Sequence, residues 1–390
     1  MFTTNFLSDG QARQLAARHS TPLFVYSKVK LQEQARQVLA MPVSYGLTVR
    51  YAMKANPHLE ILKTLREMGV CIDASSGYEA ELALENGFKP QDILVTSQQL
   101  AHNLKELVEQ GVQFTATSLH QLEEYGKLFP GSEVGVRLNP GMGSGHSTKT
   151  NVGGVTSSFG IWHEYIPQVD GIATKAELKI TRLHTHIGSG TRPEVWQQAL
   201  HTSLELAESL PSVTTLDMGG GLKVARTEAE HGADMNVIGE VLAKELRAFR
   251  DKTGRELKLE LEPGTFLVAN AGILIARIDD IVDTGADGYK FIKLNTGMND
   301  ILRPSLYAAQ HPIAVLNDSD ETEEYVVVGH NCESGDLLTP SPGDPEKLGP
   351  RELSKASIGD LVLIGGTGAY CASMSAHGYN SFPNAEEVLI

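Results

Sequence analysis

The residues able to do chemistry stand at the ends of runs with strand character. Lys54 lies in YAMKAN (51–56), where an apolar run turns polar. A lysine near a protein interior is costly to bury as a cation, so it is either paired or chemically used. One use is a Schiff base to an aldehyde cofactor; the plain alternative is a side chain that snorkels to solvent. Asp73 ends the run VCIDASS (70–76), and Arg137 lies in EVGVRLN (133–139). His184 and His186 share one face of ITRLHTHIG (180–188) by the strand period of two. One of them could lie flat on a cofactor ring; the alternative is a hydrogen-bonded core histidine. No third ligand for a metal is evident beside them, so no metal is expected. Glu262 ends KLELEPG (258–264). A carboxylate facing a pyridinium nitrogen keeps that nitrogen protonated and strengthens a pyridine ring as an electron sink; a salt bridge to Arg137 is the alternative. Gly219, Gly220 and Gly221 follow TTLD (214–217), and Gly264 closes the next run. Backbone amides approach a phosphate closely only where side chains are absent.

Such scattered groups need a scaffold that gathers strand ends. From about residue 47, runs with β character at 48–55, 70–76, 93–97, 114–118, 133–139, 180–188, 214–221 and 258–264 alternate with amphipathic stretches such as 58–69, 78–87, 103–111 and 194–210. Apolar residues in the latter recur at three and four, and glycine often follows the last turn. Eight such repeats predict a parallel (β/α)8 barrel, an α/β fold whose chemistry lies at the C-terminal ends of its strands. A doubly wound open sheet is the alternative. One connection, PGMGSGHSTKTNVGG (140–154), is long and rich in Gly, Ser and Thr. After residue 265 the strand runs 272–283, 289–297, 323–332 and 360–368 follow one another without long helices, which predicts an antiparallel β domain. The expected division is a lead-in over 1–27 packing with the β domain, a barrel over 28–266, and the β domain, a β-barrel or β-sandwich, over 267–390. NDSDETEE (317–324) reads as a solvated hairpin tip. The end, NAEEVLI, is apolar enough to suggest a truncated C-terminus. Three polar clusters in the β domain go beyond strand patterning: 301–311 with Arg303 and Tyr307, a potential carboxylate clamp; 329–338 with Cys332 and Glu333; and 365–380 with Tyr370.

The 390 residues carry 33 basic and 48 acidic groups, a net charge of −15. That balance argues against nucleic acid or an anionic membrane as a partner. Three widely spaced cysteines, Cys71, Cys332 and Cys371, exclude a disulfide framework and a cysteine-based zinc module, and point to a reducing compartment. MFTTNFLSDGQARQ has no basic segment followed by an apolar one, and no run approaches the roughly 18 residues of a membrane span. The expected location is the cytoplasm.

Seven motifs stand in order: YAMKAN, HTHIGSG (184–190), LDMGGG (216–221), LEPG (261–264), RPSLY (303–307), CESGD (332–336) and GAY (368–370). On these, from about residue 20 to its end, the sequence resembles the fold-type III pyridoxal-phosphate decarboxylases, and among them the diaminopimelate decarboxylases. The resemblance implies a barrel of the alanine-racemase type, pyridoxal 5′-phosphate as cofactor, and decarboxylation of meso-diaminopimelate to L-lysine, a step of lysine biosynthesis. It implies that Lys54 carries the cofactor, that His186 stacks on its ring, and that Glu262 meets the pyridine nitrogen. Ser189, Gly219, Gly220, Gly221 and the Gly264 amide are implied to hold the phosphate; Asp73 and Arg137, in the same ring of strand ends, are counted with the cofactor-binding residues. Arg303 and Tyr307 are implied to bind the small-molecule substrate's distal carboxylate. The site is implied to be completed across a homodimer, with Cys332 of the partner subunit as proton donor and Glu333 of the partner subunit on the distal amine. Tyr370 is implied to touch the cofactor phosphate or the substrate.

Two positions depart from the family pattern. The usual arginine after EPG is Thr265, and the usual lysine before Phe-Gly-Ile is missing, the stretch reading Ser157-Ser158-Phe159-Gly160-Ile161. Threonine cannot replace a bidentate guanidinium. Thr265, counted with the substrate-binding residues, therefore opens a rival reading in which the substrate is another basic amino acid, such as D-lysine or D-ornithine. Alanine racemase fits less well, because Glu262 stands where a weak electron sink would need a cation. A non-catalytic pyridoxal-phosphate-binding relative fits poorly with Lys54 and Cys332 both present.

Overall fold

The protein is described from a computed structural model over residues 6–142, 153–186 and 190–390. It forms two compact units: residues 32–223 with 232–264, and residues 1–31 with 224–231 and 265–390.

The first strand of the chain, β1 (Leu23–Tyr26), belongs to the second unit and follows a helix over Asp9–His19. In the first, eight parallel strands close into a barrel: β2 (Leu47–Ala52), β3 (Cys71–Ala74), β4 (Ile93–Val95), β5 (Gln113–Ala116), β6 (Glu133–Asn139), β8 (Lys179–Thr185), β9 (Thr215–Asp217) and β10 (Lys258–Leu261). The two-residue β7 (Ile161–Trp162) pairs with the end of β6. Closure follows from β5 pairing with β6 and β10 with β2, which leaves no open edge among the eight. The (β/α)8 expectation therefore holds. The helices between strands start where the sequence supplies caps. Ser76 accepts from the Glu79 amide, Ser118 from Gln121, and Asp234 from Asn236 and Val237. Each cap satisfies a backbone donor that has no partner within its helix. The helix Met235–Thr253 stops at Gly254, whose φ of 74° is left-handed.

Three strands end sooner than their apolar runs suggest. β2 stops at Ala52, and Met53–Ala55 form a single 3-10 turn, so Lys54 lies just past the strand. β9 stops at Asp217, because Gly219 and Gly221 take φ of 68° and 102°, outside the extended region. β10 stops at Leu261.

The second unit is built on β11 (Gly272–Asp283), β12 (Lys290–Leu294), β13 (Ile313–Leu316), β14 (Thr322–Val328), β15 (Pro340–Ser341), β16 (Asp344–Leu348), β17 (Arg351–Ser354), β18 (Leu361–Gly365) and β19 (Glu386–Leu389). The long β11 pairs antiparallel with β1, β12 and β18. Two pairings are parallel, β12 with β14 and β1 with β19, so the sheet is mostly antiparallel. Leu7, Ala12, Leu23, Val25, Ile273, Ile275, Leu316 and Leu363 form one buried cluster beneath it. The acidic run 317–324 does not cap a hairpin. β13 pairs with β18, whereas β14 pairs with β12 and β17, so the run crosses between partners. No helix among the described residues is long and apolar enough to cross a membrane.

Candidate active site

Strand register decides which side chains meet at the C-terminal end of the barrel. Arg137 of β6 is level with His184 of β8, His184 with Asp217 of β9, and Asp217 with Glu260 of β10. Glu262 lies two residues beyond Glu260 and returns to the same side of the chain. Asp73 is level with Ala52, two residues before Lys54. Asp73, Arg137, His184, Asp217 and Glu262 are all buried. The register thus gathers at one end of the barrel most of the barrel residues singled out from sequence.

His184 Nε2 lies 3.6 Å from Glu262 Oε2, and the His184 and His186 rings are 6.4 Å apart. One potential ligand atom from each of His184, Asp217 and Glu262 falls within 4.8 Å of the others. The expectation that no third ligand stands near the histidines is corrected here: His184 groups with two carboxyls rather than with His186. Two buried carboxyls this close do not both ionise readily. Burial, with Asp217 and Asp73 nearby, raises Glu262 well above the carboxylate range, and it keeps its proton. Burial pushes Asp217 up to about 6. Asp73 is also pushed up to about 6 by burial, against the pull of the Lys54 ammonium. Burial and the Arg137 guanidinium hold both histidines far below their ordinary value, so they are neutral. Several polar atoms here have no hydrogen-bond partner among the described residues: both ring nitrogens of His184, Asp73 Oδ1, Asp217 Oδ2 and Glu262 Oε1. Leaving buried polar atoms unpaired is costly, and a bound polar group would satisfy them.

The glycine turn after β9 is built for close approach. Gly219 N–H donates to Asp217 Oδ1 at 2.9 Å, and Glu262 N–H donates to Gly219 O at 2.8 Å. A Cβ on Gly219 would lie 2.7 Å from the His186 ring, and one on Gly220 would lie 2.6 Å from Glu262 O. Gly221 O accepts from Gly190 N–H at 3.1 Å. Ser189 lies outside the described residues. Gly264 ends the barrel unit, and Thr265 opens the short helix Thr265–Val268 in the other. Arg137 stacks its guanidinium 5.0 Å from the centre of the Phe159 ring and makes no ion pair with Glu262 among the described residues.

In the β unit, Arg303 and Tyr307 bound one short helix, and Arg303 Nε is buried without a partner among the described residues. Tyr307 Oη lies 4.0 Å from Met374 Sδ. Cys332 and Glu333 are exposed on a loop anchored by buried Asp336, which accepts from the Met298 amide at 2.6 Å and the Asn331 amide at 2.9 Å. Asp336 thus serves turn geometry and leaves Cys332 and Glu333 free to face outward. Tyr370 has a φ of 55°, a costly conformation for a residue with a Cβ and one that recurs at binding sites.

The described family "pyridoxal-dependent decarboxylase, pyridoxal binding domain" matches residues 29–269. The chain belongs to the pyridoxal-dependent decarboxylases. It is 35% identical to a diaminopimelate decarboxylase of Streptomyces coelicolor, over 96% of this chain and 86% of that one. A crystal structure of a diaminopimelate decarboxylase superposes with a TM-score of 0.90 at 32% identity, covering 99% of this chain and 93% of the other. A diaminopimelate decarboxylase from Helicobacter pylori, solved with L-lysine, superposes with a TM-score of 0.85 at 26% identity, covering 97% and 93%.

Within this pyridoxal-dependent carboxy-lyase, sequence reasoning missed two groups. Asp217 is the first. Its signal was available, since LDMGGG places an acid two residues before the first glycine of the turn. The second is Arg226. It falls between runs with no periodic pattern, and its Nε donates 3.2 Å to Gly366 O, a contact 140 residues away in sequence.

Proposed function

We propose that this decarboxylase converts meso-diaminopimelate to L-lysine and CO2 with pyridoxal 5′-phosphate. The observation that carries the reading is the barrel end just described, where unpaired buried polar atoms adjoin a glycine turn that a single added Cβ would block. Those residues fit the cofactor. Lys54 would hold it, Gly219, Gly220, Gly221, Gly264 and Ser189 would receive its phosphate, and Glu262 would meet its pyridine nitrogen. Asp73 and Arg137 complete the surrounding charge, and His186 lies over the Gly219 turn. When bound, the cofactor accepts the electrons of the broken Cα–carboxylate bond.

The protein's own residues do the rest. Glu262 keeps its proton in so buried a place, but a cationic N–H beside it would draw that carboxyl back to its charged form. Neutral His186 presents a ring without adding positive charge. Arg303 and Tyr307 would take the carboxylate that stays on the product, and Tyr370 would contact substrate or cofactor. In a homodimer with shared sites, Cys332 of the partner subunit would supply the proton that replaces CO2, and Glu333 of the partner subunit would bind the distal amine. Their exposure in one chain suits that role. The proposed location is the cytoplasm.

Thr265 favours a second reading, a basic amino acid without a second carboxylate. The experiment that separates the two is CO2 release by the pyridoxal-phosphate-loaded protein from meso-diaminopimelate against D-lysine, D-ornithine, L-lysine, L-ornithine and L-arginine.

A further inference from the structure

We propose that Arg226 is a substrate-carboxylate ligand, supplying with Arg303 the second guanidinium that Thr265 does not provide. The proposal rests on the reading of diaminopimelate as substrate and deepens it.

Both arginines belong to the same compact unit, although Arg226 comes from the short segment 224–231 that joins it from between two barrel elements. Arg226 is buried, at 8% exposure. Its Nε donates to Gly366 O, and a Cβ on Gly366 would lie 2.8 Å from Arg226 Cδ, so that turn clasps the stem of the side chain. His311 Nδ1 lies 2.9 Å from the neighbouring carbonyl, Gly365 O. Adjacent carbonyls at the end of β18 therefore hold Arg226 and His311 side by side.

What these groups lack is an ion-pair or hydrogen-bond partner for their free side-chain atoms. Arg226 Nη2, Arg303 Nε and His311 Nε2 have no hydrogen-bond partner among the described residues, nor do the hydroxyls of Ser305 and Thr367. Neither guanidinium makes an ion pair among the described residues. Glu230, four residues on, turns to the backbone rather than to the guanidinium: its Oε2 accepts from the backbone amides of Arg226 at 2.7 Å and Thr227 at 3.2 Å. Cys371 adjoins both arginines, but burial pushes its thiol up to about 11, so it brings no negative charge. Burial and the Arg303 charge pull Arg226 down to about 9, which still leaves it cationic at neutral pH. Burial and the two arginines hold His311 neutral. Two buried cations with no ion-pair contact among the described residues are a costly arrangement unless a ligand completes it. A carboxylate matches the planar donor fork of a guanidinium.

The test uses the loaded enzyme and two ligands that differ by one group: L-lysine, which keeps the carboxylate, and cadaverine, which lacks it. Calorimetric binding is measured for the wild type, Arg226→Gln and Arg226→Lys. We expect Arg226→Gln to weaken L-lysine about 100-fold and to raise the KM for meso-diaminopimelate similarly, in line with removing one partner of a buried charged hydrogen bond. Cadaverine binding should stay within about twofold, and Arg226→Lys should recover part of the L-lysine loss because the charge is kept. Unchanged L-lysine binding in Arg226→Gln, or equal weakening of both ligands, would overturn the proposal; equal weakening would show a purely structural role. The two readings fail differently. Wild-type protein that binds L-lysine with this dependence on Arg226 but releases no CO2 from meso-diaminopimelate would sink the substrate assignment alone. Wild-type protein that does not discriminate L-lysine from cadaverine would sink the carboxylate site.

Discussion

Within the barrel unit, level with Asp217 on the adjacent strand, Glu260 is clamped between two arginines. Arg50 Nε lies 3.1 Å and Arg182 Nε 2.8 Å from Glu260 Oε2, with side-chain exposures of 3%, 11% and 3% for Arg50, Arg182 and Glu260. Gln113 Oε1 accepts from both guanidiniums, at 3.3 Å from Arg50 and 2.5 Å from Arg182. Glu260→Gln keeps the shape and removes the charge, leaving two buried cations. Breaking a buried pair from one side costs about 3–5 kcal/mol. The titration of Glu260 gives a consistent figure. Burial pushes its carboxyl up, but Arg50 and Arg182 outweigh burial and hold it at about 2 rather than 4.5. At about 1.4 kcal/mol per pKa unit, that gap corresponds to about 3 kcal/mol at neutral pH. A depressed carboxyl contributes fully above its unfolded value. Its contribution therefore fades as pH falls from about 4.5 towards about 2. Both tryptophans, Trp162 and Trp196, lie in the barrel unit, so their fluorescence during urea unfolding reports on it. At pH 7 we expect Glu260→Gln to lose about 3 kcal/mol. The triple replacement Arg50→Met, Arg182→Met and Glu260→Leu should lose less, because no buried charge is stranded. A loss below about 1 kcal/mol for Glu260→Gln, typical of exposed pairs, would refute the reasoning.

Two other perturbations probe the candidate site. Glu262→Gln should still take up pyridoxal phosphate, yet lose about 100-fold in kcat, as expected when one preorganised charge-stabilising group is removed; kcat within a factor of two of wild type would contradict its assigned place. Lys54→Ala should lose the visible absorption band of the bound cofactor and all activity, and mixing it with inactive Cys332→Ala chains should restore part of the activity through hybrid dimers. If subunits exchange and nothing is restored, the shared site is wrong.

Much of this site was legible because its positions follow a simple period. EVGVRLN became a strand over its full length, as did 272–283, and the two-residue repeat placed His184 and Glu262 at the barrel end. What was not legible depends on contacts between distant segments. Asp217 matters because register sets it level with His184. Arg226 is placed by a turn 140 residues later in the chain. Lys54 reads as a strand residue because its neighbours are apolar, and the 3-10 turn that carries it has no distinct hydrophobic period. The acidic run reads as a hairpin tip from its charge alone, while pairing on either side of it is set by residues elsewhere in the sheet.

The most direct measurement is CO2 release by the pyridoxal-phosphate-loaded protein, with meso-diaminopimelate compared with D-lysine, D-ornithine, L-lysine, L-ornithine and L-arginine under identical conditions. The expected result is a strong preference for meso-diaminopimelate, with L-lysine as the product. Preference for an amino acid with one carboxylate would contradict the assignment and make Thr265 the mark of a different substrate.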